Sequence, residues 1–235
     1  MAGGSRLMKY IQKQEVPPEF LEWQAKSNEN WQADWDNFQN PEKRIVHQSL
    51  LTEQGYICCY CQRRISLNDS HIEHFKPKDK KYYPELALDY SNLLSSCQKE
   101  RQKREPRHCG SLKDNWYDEK LTVSPLKENC IEYFHYAIDG QIIPNKQKDK
   151  LEAAQITIDK LGLNIPKLIR ERRGVIETII TLISSLNEKT LEEKIRIIEL
   201  QIAYRKKLDV EARYQEFCAV QIFILQKYLN SLRNG

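Results

Sequence analysis

Cys58-Cys59-Tyr60-Cys61 is followed by His71-Ile72-Glu73-His74-Phe75-Lys76-Pro77, by Ser91-Asn92-Leu93-Leu94-Ser95-Ser96-Cys97 and by His108-Cys109-Gly110. That order decides the reading of the fold. Cys58 and Cys61 are spaced C-x2-C, so both thiolates of one tight knuckle can reach the same ion, and Cys97 and Cys109 are near enough in sequence to complete a four-thiolate set. A closed set of this kind holds one structural zinc and leaves no open position for substrate. Residues 98–108 separate the second pair of cysteines, so the geometry requires that insert to loop out. Cys59 is the rival to Cys58 as a ligand. Otherwise Cys59, Cys130 and Cys218 are expected to pack as small apolar groups.

Between the cysteine pairs lies a second kind of chemistry. On a strand, His71 and Glu73 share one face while Ile72 and His74 take the other, unless a bulge bends the chain. A hard carboxylate oxygen at Glu73 suits Mg2+ or Mn2+, and a neutral imidazole at His74 can take a proton from water near neutral pH. Together they offer an ion and a base. The stretch from Phe75 to Ser91 lets the chain loop out and return, so the Asn92 amide can pin the loop backbone and orient the base.

Composition narrows the partners. The 235 residues carry a formal net charge of +4. Basic residues gather beside the motifs: Lys76, Lys78, Lys80 and Lys81 against Asp79, then Lys99, Arg101, Lys103, Arg104 and Arg107 against Glu100 and Glu105. Such patches can track phosphates and make binding salt-dependent. Tyr82 and Tyr83 are read either as strand residues or as a stacking platform for an unpaired base. Seven cysteines, an odd number in metal-like clusters with no secretory signal, imply reduced thiols in a cytoplasmic protein. No apolar run approaches the roughly twenty residues of a membrane span.

These residues resemble the HNH endonuclease superfamily, whose ββα-metal fold has a zinc knuckle, a strand carrying an acid-His or His-His pair, an Asn-Leu loop and a helix bearing the second cysteine pair and a final ligand. More narrowly, Glu53 to Cys61, His71 to Pro77, Tyr90 to Cys97 and His108-Cys109-Gly110 resemble the PtuB family of Septu and retron-associated anti-phage systems. The likeness reaches Met8-Lys9-Tyr10-Ile11 upstream and Asp159 to Asn164 with Arg170 to Arg173 downstream. It implies Glu73 as a metal ligand, His74 as general base and Asn92 as the middle Asn of the motif. For the last catalytic ligand it favours His108, with Asp114, Asn115 or water as alternatives. It further implies a catalytic Mg2+ or Mn2+ and a nucleic-acid substrate, DNA foremost with structured RNA as the alternative. The partners it implies are a PtuA-type ATPase and, in a retron, the reverse transcriptase and its msDNA. The competing function is a non-catalytic zinc module that binds nucleic acid or a protein.

The rest reads as helix. Residues 1–7 are an added leader or a flexible natural tail. Pro17 and Pro18 open a short helix, and Asn40 is expected to cap a second that starts at Pro41 and stops near Gly55. Trp31, Trp35 and Phe38 are expected to pack these two helices together. Ile131 to Ile143 around Asp139-Gly140 signals a hairpin, with His135 structural. Apolar residues at helical spacing then predict helices near 147–162, 165–186, 190–206 and 209–232, the third opened by a capping box at Thr190. The expectation is an α+β, mostly helical chain: a helical segment over 8–55, a zinc-stapled ββα-metal core over 56–125, a hairpin over 126–145 and a helical bundle over 146–235.

Overall fold

The computed structural model describes residues 9–100 and 104–234. The tail 1–7, Met8, and Arg101 and Lys103 of the second basic patch lie outside the described residues. The described chain is α+β, with seven α-helices and two small antiparallel sheets.

Pro18–Gln24 (α1) begins with a proline where a missing N–H costs nothing, and buries Phe20 and Trp23. In Glu42–Glu53 (α2), Val46 and Leu50 lie one turn apart and are fully buried. Asn40 does not cap this helix: Pro41 occupies the N-cap, which has no side-chain hydrogen bond. Phe20, Trp23, Phe38, Val46, Leu50, Tyr90 and Leu93 form an aromatic-rich cluster between these helices and the sheet behind them.

Ser70–His74 (β1) pairs antiparallel with Leu93–Cys97 (β2), with Ser70 opposite Cys97 and His74 opposite Leu93. Every residue of β2 is buried. Its free edge is closed by Gln54, whose amide accepts from Ser95 N at 2.7 Å and donates to Ser95 O at 2.9 Å, as a further strand would. A single helical turn, Gly110–Lys113 (α3), follows Cys109. The helix therefore bears neither cysteine of the second pair, since Cys97 ends the strand and Cys109 stands at the helix N-cap with φ 53°.

Phe134–Tyr136 (β3) and Ile142–Pro144 (β4) make the hairpin, turning at Gly140 with φ 93°. The segment just upstream, Glu128–Glu132, is a 3-10 turn rather than strand. Lys148–Lys160 (α4), Pro166–Ser184 (α5) and Leu191–Lys206 (α6) follow the apolar periodicity closely, and Thr190 forms the reciprocal capping box with Glu193. The last helix, Cys218–Asn234 (α7), starts nine residues later than its periodicity suggests. Asp209 accepts from the backbone of Glu211 and Arg213, a local bond that competes with helix, and Ala212 and Phe217 take positive φ.

One core cluster runs from Cys58, Cys61, Cys97 and Cys109 through Ile142, Ile158, Leu168 and Ile176 to Phe217 and Phe223, so the last helices share the interior of the knuckle. A second apolar cluster joins α5, α6 and α7 through Ile179, Ile198, Ile202, Leu225 and Leu229. The knuckle is also tied to the segment before α7 by its backbone. Tyr214 N donates to Gly55 O at 3.0 Å and Phe217 N to Gln62 O at 3.0 Å. Arg64 N donates to Glu216 Oε1 at 3.0 Å, and Gln62 Oε1 accepts from Ala219 N at 3.0 Å. Among the described residues, no helix is long and apolar enough to cross a membrane.

Candidate active site and metal centre

The Sγ atoms of Cys58, Cys61, Cys97 and Cys109 all lie within 4.8 Å of one another and are buried, with Cys61 and Cys97 separated by 3.7 Å. A tetrahedral ion with Zn–S bonds of about 2.3 Å requires sulfur–sulfur edges of about 3.8 Å, so the donor set fits zinc. Burial opposes ionisation of Cys58, yet hydrogen bonds with Cys109, Cys59, Cys61 and Cys97 hold its thiol well below the ordinary value. Backbone donors complete the setting: Cys97 N points at Cys58 Sγ at 3.4 Å, and Gly110 N donates to Ser96 Oγ at 3.0 Å. The insert after Cys97 does loop out. Gln98 closes its base, donating to Pro106 O at 2.9 Å and accepting from His108 N at 3.1 Å. Cys59 is buried outside the four-sulfur group, its N–H spent on Ser95 O at 3.1 Å.

His108 sits with the thiols and not with Glu73. Its Nδ1 lies 3.3 Å from Cys109 Sγ and 3.6 Å from Cys97 Sγ, and its ring is fully buried. The reason is local: His108 precedes the chain reversal at Cys109, which points the ring inward to sulfur. The expectation of His108 beside the carboxylate is corrected accordingly. Deeper still, the guanidinium of Arg172 is 1% exposed, and the three oxygens that accept from it, Gly140 O, Leu163 O and Asn164 Oδ1, include no carboxylate.

The strand alternates as its period requires, and Glu73 and His74 leave it on opposite faces. On one face, Glu73 Oε1 meets Lys113 Nζ at 3.0 Å and accepts from Tyr60 OH at 3.1 Å, while Oε2 lies 3.6 Å from His71 Nε2. Burial alone would raise the Glu73 carboxyl, but the His71 ring and the Lys113 ammonium outweigh it and hold the group below its ordinary value. Lys113 Nζ also donates to His74 O at 2.9 Å, so one ammonium fixes both residues of the pair.

On the other face, His74 is 9% exposed and its Nε2 lies 3.0 Å from Ala87 O. A carbonyl only accepts, so Nε2 carries the proton and Nδ1 keeps its lone pair in the neutral ring. Burial, aided by the charge of Lys78, lowers the imidazole to about 4 against the opposing Ala87 hydrogen bond. Asn92 secures the geometry one step away. It accepts from Lys76 N at 2.8 Å and donates to Lys76 O at 2.9 Å and Leu86 O at 3.2 Å, pinning the loop that presents Ala87.

Trp35 meets the His74 ring edge-on at 4.3 Å, and the ammoniums of Lys43 and Lys78 lie 4.9 and 5.7 Å from its ring centre. Trp35 also packs on Phe38, so it serves the aromatic cluster and the His74 wall at once. Lys76 lies over the rings of Tyr83 and Tyr117, while Tyr82 is half exposed and neither Tyr82 nor Tyr83 is in a strand. Sequence reasoning missed Lys113, Tyr60 and Trp35 as neighbours of the pair. No spacing rule links a lysine in Gly110-Ser111-Leu112-Lys113 to a glutamate on another element. The shared face of His71 and Glu73 was the one available signal.

No family model matches the chain. Curated relatives do. Over 146 residues it is 37% identical to a Vibrio cholerae serotype O1 biovar El Tor protein assigned by name as the HNH endonuclease of retron Vc95, covering 61% of this chain and 69% of that one. The chain belongs to the HNH endonuclease family. Its relatives within that family come from retron and Septu systems. It is 25% identical over 186 residues to an Escherichia coli protein assigned as the HNH endonuclease of retron Ec83, covering 63% and 72%. To the Septu protein PtuB of Bacillus thuringiensis it is 28% identical over 128 residues, covering 52% of this chain and 42% of PtuB.

Proposed function

We propose that this chain is a metal-dependent HNH endonuclease that hydrolyses phosphodiesters, DNA foremost, as the effector of an anti-phage system working with a PtuA-type ATPase. The observation that carries the reading is the fixed tautomer of His74, next in sequence to the carboxylate of Glu73 on the opposite face of β1. In this reading β1, β2 and α3 are the ββα-metal core, and the four cysteines hold one structural zinc. His74 Nδ1 takes the proton of a water aimed at phosphorus, while Nε2–H stays on Ala87 O and prevents ring rotation. The negative charge of a bound phosphodiester raises the imidazole from about 4 toward the working range. Glu73 would hold a divalent cation, which would supply positive charge for the oxygens on phosphorus and for the departing oxygen. Asn92 holds the loop, and Lys43 and Lys78, over the Trp35 ring that walls His74, supply positive charge on that side.

Exposed apolar side chains on α6, among them Leu200 and Tyr204, support an ATPase docking face there; a retron reverse transcriptase and its msDNA are the further partners of this reading. The non-catalytic alternative draws on one fact, that Lys113 already neutralises Glu73. A nicking assay with added Mg2+ or Mn2+ separates the two. His74→Ala is expected to cut hydrolysis at least about a hundredfold while circular dichroism, zinc content and nucleic-acid binding stay unchanged. Parental cleavage by that folded variant sinks the nuclease reading.

A further inference from the structure

Glu73 is a divided carboxylate. Its Oε1 is sealed, held by Lys113 Nζ at 3.0 Å and by Tyr60 OH at 3.1 Å, and the Lys113 side chain is 1% exposed. Its Oε2 faces the other way, toward His71 Nε2 at 3.6 Å, and the His71 side chain is 28% exposed. Two donor atoms that each bind one ion at about 2.1 Å can lie up to about 4.2 Å apart, so this nitrogen and this oxygen can share a cation. Gly110 supports the assignment. Its φ is not left-handed, so the backbone does not require glycine there. Space does: a Cβ at Gly110 would collide with Glu73 Oε2 and stand 2.8 Å from His71 Nε2, in front of both donor atoms.

Charge then sets when such a cation binds. The carboxylate is already matched by the Lys113 ammonium, and an imidazole nitrogen that binds a cation does so without a proton and adds no charge. A divalent ion on Oε2 therefore leaves a net positive charge of about two units in a half-closed site, which water screens poorly. A phosphodiester brings the missing negative charge.

We propose that His71 Nε2 and Glu73 Oε2 together hold the divalent cation, and that Lys113, by occupying the other carboxylate oxygen, makes cation binding depend on a bound phosphate. His71 is thus a metal ligand and Lys113 a positioning residue that couples the ion to the substrate. By linkage the coupling is reciprocal: the cation tightens the nucleic acid as much as the nucleic acid tightens the cation. The inference rests on the nuclease reading of this site, so its test measures binding apart from cleavage.

The experiment is Mn2+ binding, followed by electron paramagnetic resonance, to the zinc-loaded full chain in a His74→Ala background, with and without a short DNA duplex. DNA is expected to tighten Mn2+ at least about tenfold. His71→Ala should weaken Mn2+ at least about tenfold in the presence of DNA, with zinc content and circular dichroism unchanged. Lys113→Met should strengthen Mn2+ binding to the free protein by about tenfold, the scale on which groups around a metal ligand act, and shrink the effect of DNA. Should Lys113→Met not fold, Lys113→Gln carries the same expectation. Unchanged Mn2+ affinity in His71→Ala overturns the ligand assignment. Unchanged or weaker affinity in the folded Lys113 variant overturns the coupling. Mn2+ that depends on His71 in a protein with intact His74 that never cleaves would keep the site and refute the nuclease reading. Cleavage with His71-independent Mn2+ would do the reverse.

Discussion

The sheet with its knuckle and the bundle of α5, α6 and α7 bury different things. Around the sheet the interior holds Gln54, Gln62, Ser70, Glu73, His74, Asn92, Ser95, Ser96, His108 and Lys113, while the bundle cluster is isoleucine and leucine almost throughout. Buried polar groups return little net stability even when satisfied, and cost heavily when one partner is lost. Apolar burial returns about 1.5–3 kcal/mol for each large side chain. The sheet region is specified by matched pairs and held by the sulfur cluster; the bundle supplies apolar mass. A site can be built where polar groups are kept in fixed positions, and the apolar bundle offsets the stability that such placement does not return.

The sharpest way to break the contrast is to remove the staple. Cys61→Ser should abolish zinc retention, read by elemental analysis, and remove stabilisation on the order of 10 kcal/mol, read as unfolding at far lower urea. A variant as stable as its parent would mean that polar pairing alone holds the sheet. Next in size is Ile198→Ala in α6, where the side chain is fully buried. The loss should be about 2–5 kcal/mol in urea unfolding with zinc content untouched, so that the two regions fail separately.

That separation also explains what could be read from the chain. The four cysteines were legible because ligand spacing is a covalent constraint, and α4 to α6 because apolar period is a property of single residues in order. The start of α7 was not legible: Tyr214 and Phe217 continue the apolar spacing, but both are spent on the knuckle, Tyr214 on Gly55 O and Phe217 on Gln62 O. Lys113 at Glu73, Trp35 at His74 and His108 at the thiols are long-range or turn-dependent pairings, and they leave no period behind. Site residues from different elements were therefore the hardest to place, although the pair at the end of β1 stood out by itself.

A finer probe of the polar side is pH. His47 Nε2 bonds Ser70 Oγ at 2.9 Å and Ser95 Oγ at 3.2 Å, joining α2 to both strands, and burial with the charges of His71 and Lys99 lowers its imidazole from 6.5 to about 4. Between those values the unfolded chain takes up the proton and the folded chain does not, so stability falls as pH drops from 6.5 to about 4 and holds above that window. In His47→Gln the fall in melting temperature over this range should be shallower; an equal slope would remove His47 from the account. The smallest expected effect lies on the bundle side. Thr190→Ala removes the capping box of α6 and should cost about 1 kcal/mol in urea unfolding at any pH from 5 to 8, with no change in zinc.

The backbone ties between the knuckle and the chain ahead of α7 set a schedule for synthesis. Arg64 finds Glu216 152 positions later, and Gln62 finds Ala219 157 positions later. At 5–20 residues per second a ribosome needs roughly 8–30 s to travel that far. From Lys113 onward, which is most of that interval, every candidate site residue has been made, but Gly55, Gln62 and Arg64 still lack the partners that Tyr214, Glu216, Phe217 and Ala219 bring. A message broken before those codons yields all the chemistry-bearing side chains without the partners of the knuckle, so the centre is completed only on chains that were read into α7.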